Sequence, residues 1–392
     1  RRADPVHGVT LLHLDLDAFG MVCNSLGRGA GERLLVHVAQ RLKSVLAREK
    51  AMIARFDGDE FGILVENTAT TPDITTITAD INGMLAEPCY VDGHGLAVSA
   101  SIGVVRGVSA AMDAPELLRA ADLALRRAKS KGRGQWELFD PVQDKADRAV
   151  QALAVDMPGA WEQGEIDVRY RPVIRLSDGA VAAVEAVLHW NRPTEPVVHE
   201  RCAALAERTG LILPLGEWLL RTAGGQVRWW QRNGVQWPLT VGLTTHQATD
   251  ADLVSKVVQA LDHTGLQANR LVVAMPVDVV GVPEAADNLA VLAEMGVRTA
   301  LDDFGLGPDD LAAAREHGVG SVRVARRLVD RRAGYVRALV AAARETGAAI
   351  VVDGVADEAQ ATWWREAGAD LATGPCFGPD RLAGEFQSVF MS

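Results

Sequence analysis

The feature that most constrains the fold of this chain is a regular alternation of short apolar segments and helical stretches in its C-terminal part. Such an alternation predicts repeated strand–helix units that build a parallel sheet. A repeat that continues over about 240 residues is typical of an α/β fold closed into a (β/α)8 barrel of the TIM type. The candidate strands are Asp167–Ile174, Ala180–His189, Leu239–Leu243, Leu271–Met275, Thr299–Asp302, Ser321–Val324 and Ala348–Asp353.

Acidic residues recur at the carboxyl ends of these strands. Asp302 and Asp303 end one candidate strand, and Asp353 ends another. In a barrel of this kind the carboxyl ends of the strands meet at one rim, where the functional groups lie. The sequence therefore predicts a site at that rim.

The N-terminal part has a different order of elements: strand, helix, hairpin, helix, strand, helix. This order predicts an α+β domain with helices over a largely antiparallel sheet. The hairpin is indicated by Asp57-Gly58 between two short apolar runs. The predicted elements are a strand at Val9–Asp17, a helix at Gly29–Arg48, a hairpin at Ile53–Val65, a helix at Ile74–Leu85, a strand at Leu96–Val105 and a helix at Pro115–Lys131 that stops at Gly132.

A polar segment separates the two parts. Phe139–Arg148 is rich in charged residues and contains Pro141, which indicates a linker. We expect an α+β domain at 1–140, a linker at 141–152 and a barrel domain at 153–392. Because the first residue is Arg1, we expect the chain to be truncated at its N-terminus.

Composition and charge exclude several classes of protein. The formal net charge is -11, which argues against sequence-independent binding of nucleic acid. No apolar run approaches the roughly 20 residues that span a bilayer, and no signal peptide opens the chain. The four cysteines are scattered, as expected of reduced thiols in a cytoplasmic protein.

Carboxylates gather at two turns of the N-terminal domain. Asp15 and Asp17 follow the first strand, and Asp59 and Glu60 lie in the predicted hairpin. Rigidly presented carboxylate oxygens are the ligands that Mg²⁺ prefers. A glycine beside them, Gly58, lets a phosphate approach the backbone.

Two cations follow in the last predicted helix of that domain. Lys129 and Arg133 are four residues apart, so we expect them to share one helix face. Together they can neutralise a triphosphate.

Three segments of the N-terminal domain resemble, in order, the motifs of the GGDEF family, whose members join two GTP molecules into cyclic di-GMP. Arg55–Phe61 (RFDGDEF) resembles the signature RxGGDEF, and Asp15–Phe19 (DLDAF) resembles the DxDxF strand end. Ala121–Arg133 resembles the helix motif ADxALYxAKxxGR. The resemblance implies a nucleotidyl-cyclase-like α+β fold.

The same resemblance implies roles for individual residues. Asp15 and Asp59 correspond to metal ligands, and Glu60 corresponds to the acid that contacts the metal and assists the attacking hydroxyl. Phosphate groups are held at the positions of Gly58, Lys129 and Arg133, and the guanine is recognised at the positions of Cys23 and Glu32.

The departures from the GGDEF pattern weaken the expectation of turnover. The first glycine of the signature is Asp57, whose carboxylate repels a triphosphate. The asparagine and aspartate that recognise guanine are replaced by Cys23 and Glu32, and a lysine after DxDxF is replaced by Gly20.

The C-terminal domain resembles the EAL family, whose active members hydrolyse cyclic di-GMP with two metal ions. Arg169–Val173 resembles the "YQPI" strand, and Val184–Trp190 resembles "EALLRW". Leu301–Gly305 matches "DDFG", and Val352–Val355 resembles "AEGV". The whole chain thus resembles the tandem GGDEF–EAL family of cyclic di-GMP signalling proteins.

Several EAL ligand positions lack ligand atoms. An asparagine is replaced by Gly242, two glutamates by Ala274 and Val277, and a lysine by Arg323. We therefore expect no metal in the barrel, and Glu185 can instead pair with Arg323 across its mouth. Arg171 replaces a glutamine and can restore positive charge for a cyclic di-GMP phosphate. The candidate pocket residues are Arg171, Glu185, Leu188, His189, Asp302, Asp303, Arg323 and Asp353.

Three functions follow as hypotheses. The first is a non-catalytic regulator that responds to GTP or cyclic di-GMP and acts through a protein partner or a homodimer. The second is a diguanylate cyclase with weak, Mg²⁺-dependent activity in the N-terminal domain. The third is an interaction platform that binds no nucleotide.

Overall fold

The computed structural model describes residues 8–106, 113–331 and 334–391. The chain divides into two compact units, residues 1–148 and residues 149–392. Each has its own apolar core, because the main buried clusters of the two units share no residue.

The first unit has a five-stranded sheet in the order β2-β3-β1-β6-β7. All its neighbouring pairs are antiparallel except β6 with β7, which confirms the predicted α+β domain. A separate pair, β4 and β5, forms a small hairpin. The strands are β1 (Val9–Leu16), β2 (Ala51–Arg55), β3 (Glu60–Glu66), β4 (Cys89–Val91), β5 (His94–Leu96), β6 (Ala100–Arg106) and β7 (Trp136–Leu138).

Helices cover both faces of this sheet. Alternate side chains of β1 point to opposite faces, so that Leu12, Leu14 and Leu16 enter the main core while Leu11 packs in a second cluster with Ala121 of α4. The helices are α1 (Phe19–Leu26), α2 (Arg28–Val45), α3 (Ile74–Ala86) and α4 (Ala114–Ser130). Only α1 was not expected.

The segment predicted as a linker is helical. Helix α5 (Pro141–Glu162) covers the whole of 141–152. Asp140 caps it, since its Oδ1 accepts the backbone N–H of Val142 at 2.8 Å. Proline at the first helical position with an aspartate before it starts helices rather than interrupting them, which the polar composition of the segment concealed.

The second unit is a closed barrel of eight strands in the order β10-β11-β12-β13-β14-β15-β8-β9. This confirms the predicted TIM-like barrel. The strands are β8 (Ile166–Arg175), β9 (Val181–Trp190), β10 (Leu239–Gly242), β11 (Leu271–Pro276), β12 (Arg298–Phe304), β13 (Ser321–Val324), β14 (Ala349–Val352) and β15 (Leu371–Ala372). Strand β15 was not expected, because two residues give no periodic pattern.

The expectation of a wholly parallel sheet was wrong at β8. This strand is antiparallel to both β9 and β15, whereas the other neighbouring strands of the barrel are parallel to each other. The reason is the short connection to β9, where Gly179 donates to the carbonyl of Arg175. So short a connection permits a hairpin but not a parallel crossover, which needs a dozen or more residues.

The helices of the barrel unit pack outside the strands. They are α6 (His199–Thr209), α7 (Ile212–Arg232), α8 (Thr245–Ala248), α9 (Leu253–Thr264), α10 (Pro283–Glu294), α11 (Asp310–Glu316), α12 (Arg326–Val329), α13 (Gly334–Arg344), α14 (Glu358–Ala367) and α15 (Ala383–Phe390), with short 3-10 turns at Ala268–Arg270, Val277–Val279 and Pro375–Phe377. Within the described ranges, no helix combines the length and the apolarity that crossing a bilayer requires.

Candidate functional site

In the first unit, the end of β1 and the β2–β3 hairpin bring two aspartates together. Asp15 lies at the end of β1, opposite Glu60 of β3. The ammonium of Lys129, on α4, lies 2.6 Å from Asp15 Oδ2. Partial burial raises the pKa of Asp59, and the negative charge of Asp15 raises it further. The Lys129 ammonium lowers the pKa of Asp59 and so opposes this effect.

The third predicted metal ligand, Glu60, pairs with a histidine. Glu60 Oε2 lies 3.1 Å from His13 Nε2, and the His13 side chain is buried under Phe56 of the hairpin. Among the described residues no group of three or more acidic, histidine or cysteine side chains is arranged to hold a metal. The structure therefore places Asp15 near Asp59 and does not assemble the predicted set of three metal ligands.

Asp17, the second acid of the strand end, supports the backbone. Its carboxylate accepts the hydroxyls of Ser99 and Ser101 at 2.6 and 2.7 Å, and the N–H of Gly134 at 2.7 Å. These bonds join the end of β1 to β6 and to the turn after α4. The Asp17 carboxylate therefore stabilises the fold through these three hydrogen bonds.

The predicted guanine-recognition positions also have intramolecular partners. Glu32 is held by both terminal nitrogens of Arg55 at 3.1 Å, and the Nε of Arg55 donates to the carbonyl of Gly58. Cys23 lies on α1 against Gly31 of α2, where a Cβ on Gly31 would lie 2.5 Å from its sulfur. Glu32 therefore orders the hairpin, and Cys23 packs between two helices.

The prediction that Lys129 and Arg133 share a helix face was wrong. Helix α4 ends at Ser130, and Gly132 has φ +125°, a conformation that breaks the helical path. Arg133 follows this break, is exposed, and forms no ion pair with any residue that the structure describes. It is available to a phosphate, although not from the expected face.

In the barrel unit, the predicted rim residues line a cavity of about 340 Å³ at the carboxyl ends of the strands. It contains seven of the eight pocket candidates, namely Arg171, Glu185, Leu188, Asp302, Asp303, Arg323 and Asp353. His189 lies outside its lining, because the ring is held beside Asn191 Oδ1 at 3.1 Å and Asp167 at 3.9 Å.

Arg323 lies among the surviving acids. Its Nη1 donates to Glu185 Oε1 at 2.5 Å, and both side chains are about 95% buried. Nη1 is also 3.8 Å from Asp302, and Nη2 is 3.9 Å from Asp353. Burial alone would lower the pKa of the Arg323 guanidinium, but the three carboxylates raise it well above its usual value. The expected pair of Glu185 and Arg323 is confirmed.

The barrel does not fit the two metal ions that its resemblance implies. Ala274 and Val277 are buried apolar residues. A Cβ on Gly242 would lie 3.9 Å from Asp302 Oδ2, so a side chain at this position would reach the acids, but glycine offers none. The acids that remain face a guanidinium, which already supplies positive charge.

Arg171 is the second cation of this cavity. It forms a bidentate pair with Asp380, at 2.8 and 3.0 Å, and its Nη1 is 3.8 Å from Glu185 and 3.7 Å from Asp353. Burial alone would lower the pKa of the Arg171 guanidinium, but the bond to Asp380 and the surrounding acids raise it. The cation is therefore fixed in place and charged.

The aspartates that end β12 differ in conformation. Burial raises the pKa of Asp302, although Arg323 opposes this effect. Asp303 has φ +55°, which is unusual for a residue other than glycine, and β12 shifts register between Leu301 and Phe304. Asp302 Oδ1 accepts the N–H of Asp303, which helps to hold this turn.

Sequence reasoning missed four residues at the cavity. His199, Glu200 and Arg326 line it, and Asp380 holds Arg171. Burial lowers the pKa of His199, whose Nδ1 accepts the N–H of Leu188. These residues follow strands by several positions or lie at the far end of the chain, so spacing alone did not indicate them.

Two family models match the chain in order. The GGDEF domain of diguanylate cyclases matches residues 1–135, and the EAL domain matches residues 154–380. The chain belongs to the tandem GGDEF–EAL family. It is thus a cyclic di-GMP signalling protein by family, and the order of its domains is the one that the motifs predicted.

Two curated relatives of this GGDEF–EAL protein are proteins of Pseudomonas aeruginosa. It is 30% identical to the bifunctional diguanylate cyclase/cyclic di-GMP phosphodiesterase MucR over 94% of this chain and 55% of the relative. It is also 30% identical to the cyclic di-GMP phosphodiesterase NbdA over 94% of this chain and 48% of the relative. The chain thus spans about half the length of these relatives.

A solved structure supports the barrel assignment of the GGDEF–EAL protein. The PaMucR phosphodiesterase in complex with c-di-GMP is 29% identical, with a TM-score of 0.56, and the match covers 60% of this chain and 99% of that one.

Proposed function

We propose that this GGDEF–EAL protein is a non-catalytic regulator that binds cyclic di-GMP in its barrel and acts through a protein partner or a homodimer. The observation that carries the proposal is the buried pair of Arg323 and Glu185, with Asp302 and Asp353 around the same guanidinium. The cation of this site is a side chain of the protein itself.

Hydrolysis of a phosphodiester by this family's chemistry needs a metal-bound hydroxide. A guanidinium neutralises negative charge but cannot activate water, because it does not coordinate a water molecule as a metal ion does and stays protonated. With Gly242, Ala274 and Val277 at ligand positions, the barrel lacks oxygen donors at three positions where the family's metal ligands stand. We therefore expect the barrel to bind cyclic di-GMP without hydrolysing it.

Arg171 is the group that we expect to meet a ligand phosphate. Phosphate and carboxylate present similar acceptors to a guanidinium fork, so the phosphate competes with Asp380. The other acids of the cavity are partly neutralised by the protein: Glu185 by Arg323, and Glu200 by Arg326 at 3.1 Å. The affinity for cyclic di-GMP therefore depends on how readily a phosphate replaces Asp380 as the partner of Arg171.

Calorimetric titration with cyclic di-GMP tests this function. We expect saturable binding that weakens at least about tenfold in Arg171→Ala, since a charged hydrogen bond contributes about 1.5–3 kcal/mol. Asp380→Asn removes the competing charge and should tighten binding. The lack of heat in the wild-type protein, or weaker binding in Asp380→Asn, would contradict the proposal.

A second candidate function is weak diguanylate cyclase activity in the GGDEF domain. It is favoured by the proximity of Asp15 and Asp59, which would hold Mg²⁺, and by the basic groups Lys129 and Arg133. The ion would supply positive charge at the reacting phosphate. Incubation with GTP and Mg²⁺ tests this activity: cyclic di-GMP that forms in the wild type and is lost in Asp59→Ala would establish it.

A further inference from the structure

A second cavity, of about 320 Å³, lies at the opposite end of the barrel, where the parallel strands begin. All eight strands contribute to its lining. Its volume is within the range of small-molecule sites. It is separate from the rim site described above, and Arg323 is the one residue among those described that lines both cavities.

The lower half of the barrel is incompletely filled. Barrels of this type are normally packed by layers of bulky side chains, whereas here Ala183, Ala300 and Thr240 are among the lining residues. Val173, Ala183 and Val351 form a small apolar cluster that is detached from the main core of the unit. The walls of this space are therefore partly apolar and leave room for a molecule.

The charge of this lower cavity is of one sign. Arg175, Arg298 and Arg323 line it, and no acidic residue does so within the described part of the chain. Arg298 is exposed at the start of β12, whereas Arg175 is paired with Asp178 at 2.8 Å. The rim cavity differs, since five carboxylates line it. Because Arg175 is paired with Asp178 and Arg323 with Glu185, Arg298 is the arginine of this lining whose charge is not paired within the described residues, and it favours an anion at the mouth of the lower cavity.

An unused donor lies at the inner end. The Arg323 side chain is 94% buried, and its Nε has no hydrogen-bond partner among the described residues. A buried donor without a partner costs stability. An acceptor atom of a bound molecule would satisfy it.

We propose that this lower cavity is a binding site for a small carboxylate with an apolar body, such as a medium-chain alkyl acid. The apolar part of the walls encloses the body, and the carboxylate pairs with Arg298 at the mouth.

Titration calorimetry with octanoate on the full chain tests the proposal. We expect saturable binding that weakens about tenfold or more in Arg298→Glu, because the substitution reverses the charge at the mouth. Arg232→Ala, an exposed arginine of α7 outside this lining, is the matched control and should bind as the wild type does. Inorganic phosphate, which has no apolar body, should give no saturable heat.

A second variant tests the location. Ala183→Leu fills part of the cavity and should abolish octanoate binding; its circular dichroism spectrum verifies folding. No saturable octanoate binding to the wild-type protein, or equal binding in Arg298→Glu and Arg232→Ala, would overturn the proposal. Because these readouts do not involve cyclic di-GMP, they stand or fail separately from the receptor function.

Discussion

At the scale of single residues, Arg323 determines the character of the barrel site. The sequence already indicated that an arginine stands where the family has a lysine, and that Glu185 could pair with it. It did not show that Asp302 and Asp353 would gather around the same guanidinium, because that depends on how three different strands meet at the rim. The structure therefore shows that Arg323 interacts with three acids of the site and not with Glu185 alone.

Arg323→Ala should be strongly destabilising. It leaves Glu185 buried without its cation, and the loss of one partner of a buried ion pair costs about 3–5 kcal/mol. Urea unfolding of the barrel measures this cost. Arg326→Ala, which removes an exposed partner of Glu200, is the control and should cost less than about 1 kcal/mol. Equal effects of the two substitutions would contradict the account.

Asp59 carries a pH dependence whose sign follows from its raised pKa. A carboxyl whose pKa is higher in the folded state binds protons preferentially there, so the folded state loses stability as pH rises from the ordinary aspartate range through the raised value. Asp59→Asn should therefore stabilise the protein at neutral pH by less than about 1 kcal/mol, since the group is partly exposed.

Thermal unfolding across pH tests this sign. The gain from Asp59→Asn should vanish at pH values below the ordinary pKa of aspartate, where the carboxyl is protonated in both states. Asp57→Asn changes an exposed carboxyl of the same hairpin and serves as the control. A gain that persists in acid would show that the charge of Asp59 is not its cause.

At the scale of elements, the loop after β12 is organised by a carboxylate. Asp310 Oδ2 accepts the N–H groups of Gly305, Leu306 and Gly307 at 2.7, 3.0 and 3.1 Å. The turn that contains Asp303 precedes this loop directly. Asp310 thus supports the edge of the rim cavity. The neighbouring strand β11 carries Ala274, and Val277 follows it, at the two positions where the EAL pattern has glutamates.

Asp310→Ala should loosen this loop. Three backbone donors lose their acceptor, and we expect a loss of about 1–3 kcal/mol together with faster amide exchange at residues 305–307. Hydrogen exchange with mass spectrometry measures the local effect. Asp309→Ala, which removes the neighbouring acid, should leave the exchange rates unchanged; slower or equal exchange in Asp310→Ala would refute the role of Asp310.

The elements also show where pattern reasoning succeeds and where it fails. Periodicity predicted helices α2, α3 and α4 of the first domain and seven of the barrel strands, because these segments are long enough to repeat; it did not predict α1. It failed for β15, which has two residues, and for α5, where polar composition outweighed the capping signal of Asp140 and Pro141. The direction of β8 was available from the length of its connection to β9 and was overlooked.

At the scale of the whole molecule, the order of two domains was predictable because motif residues are spaced along the chain in the family's order. The function of each site was less predictable, because the sequence gives identities but not partners. Glu60 forms a side-chain hydrogen bond with His13, Glu32 with Arg55, and Arg171 with Asp380. These pairings arise from segments far apart in sequence and define what the sites offer a ligand.

The most direct test is an incubation of the protein with cyclic di-GMP and Mg²⁺ or Mn²⁺, followed by chromatographic separation of the nucleotides, with the phosphodiesterase MucR as the positive control. Our account predicts that cyclic di-GMP is recovered intact from the GGDEF–EAL protein while MucR consumes it. Metal-dependent formation of the linear dinucleotide, lost on Glu185→Ala, would contradict the proposal that the barrel binds cyclic di-GMP without hydrolysing it.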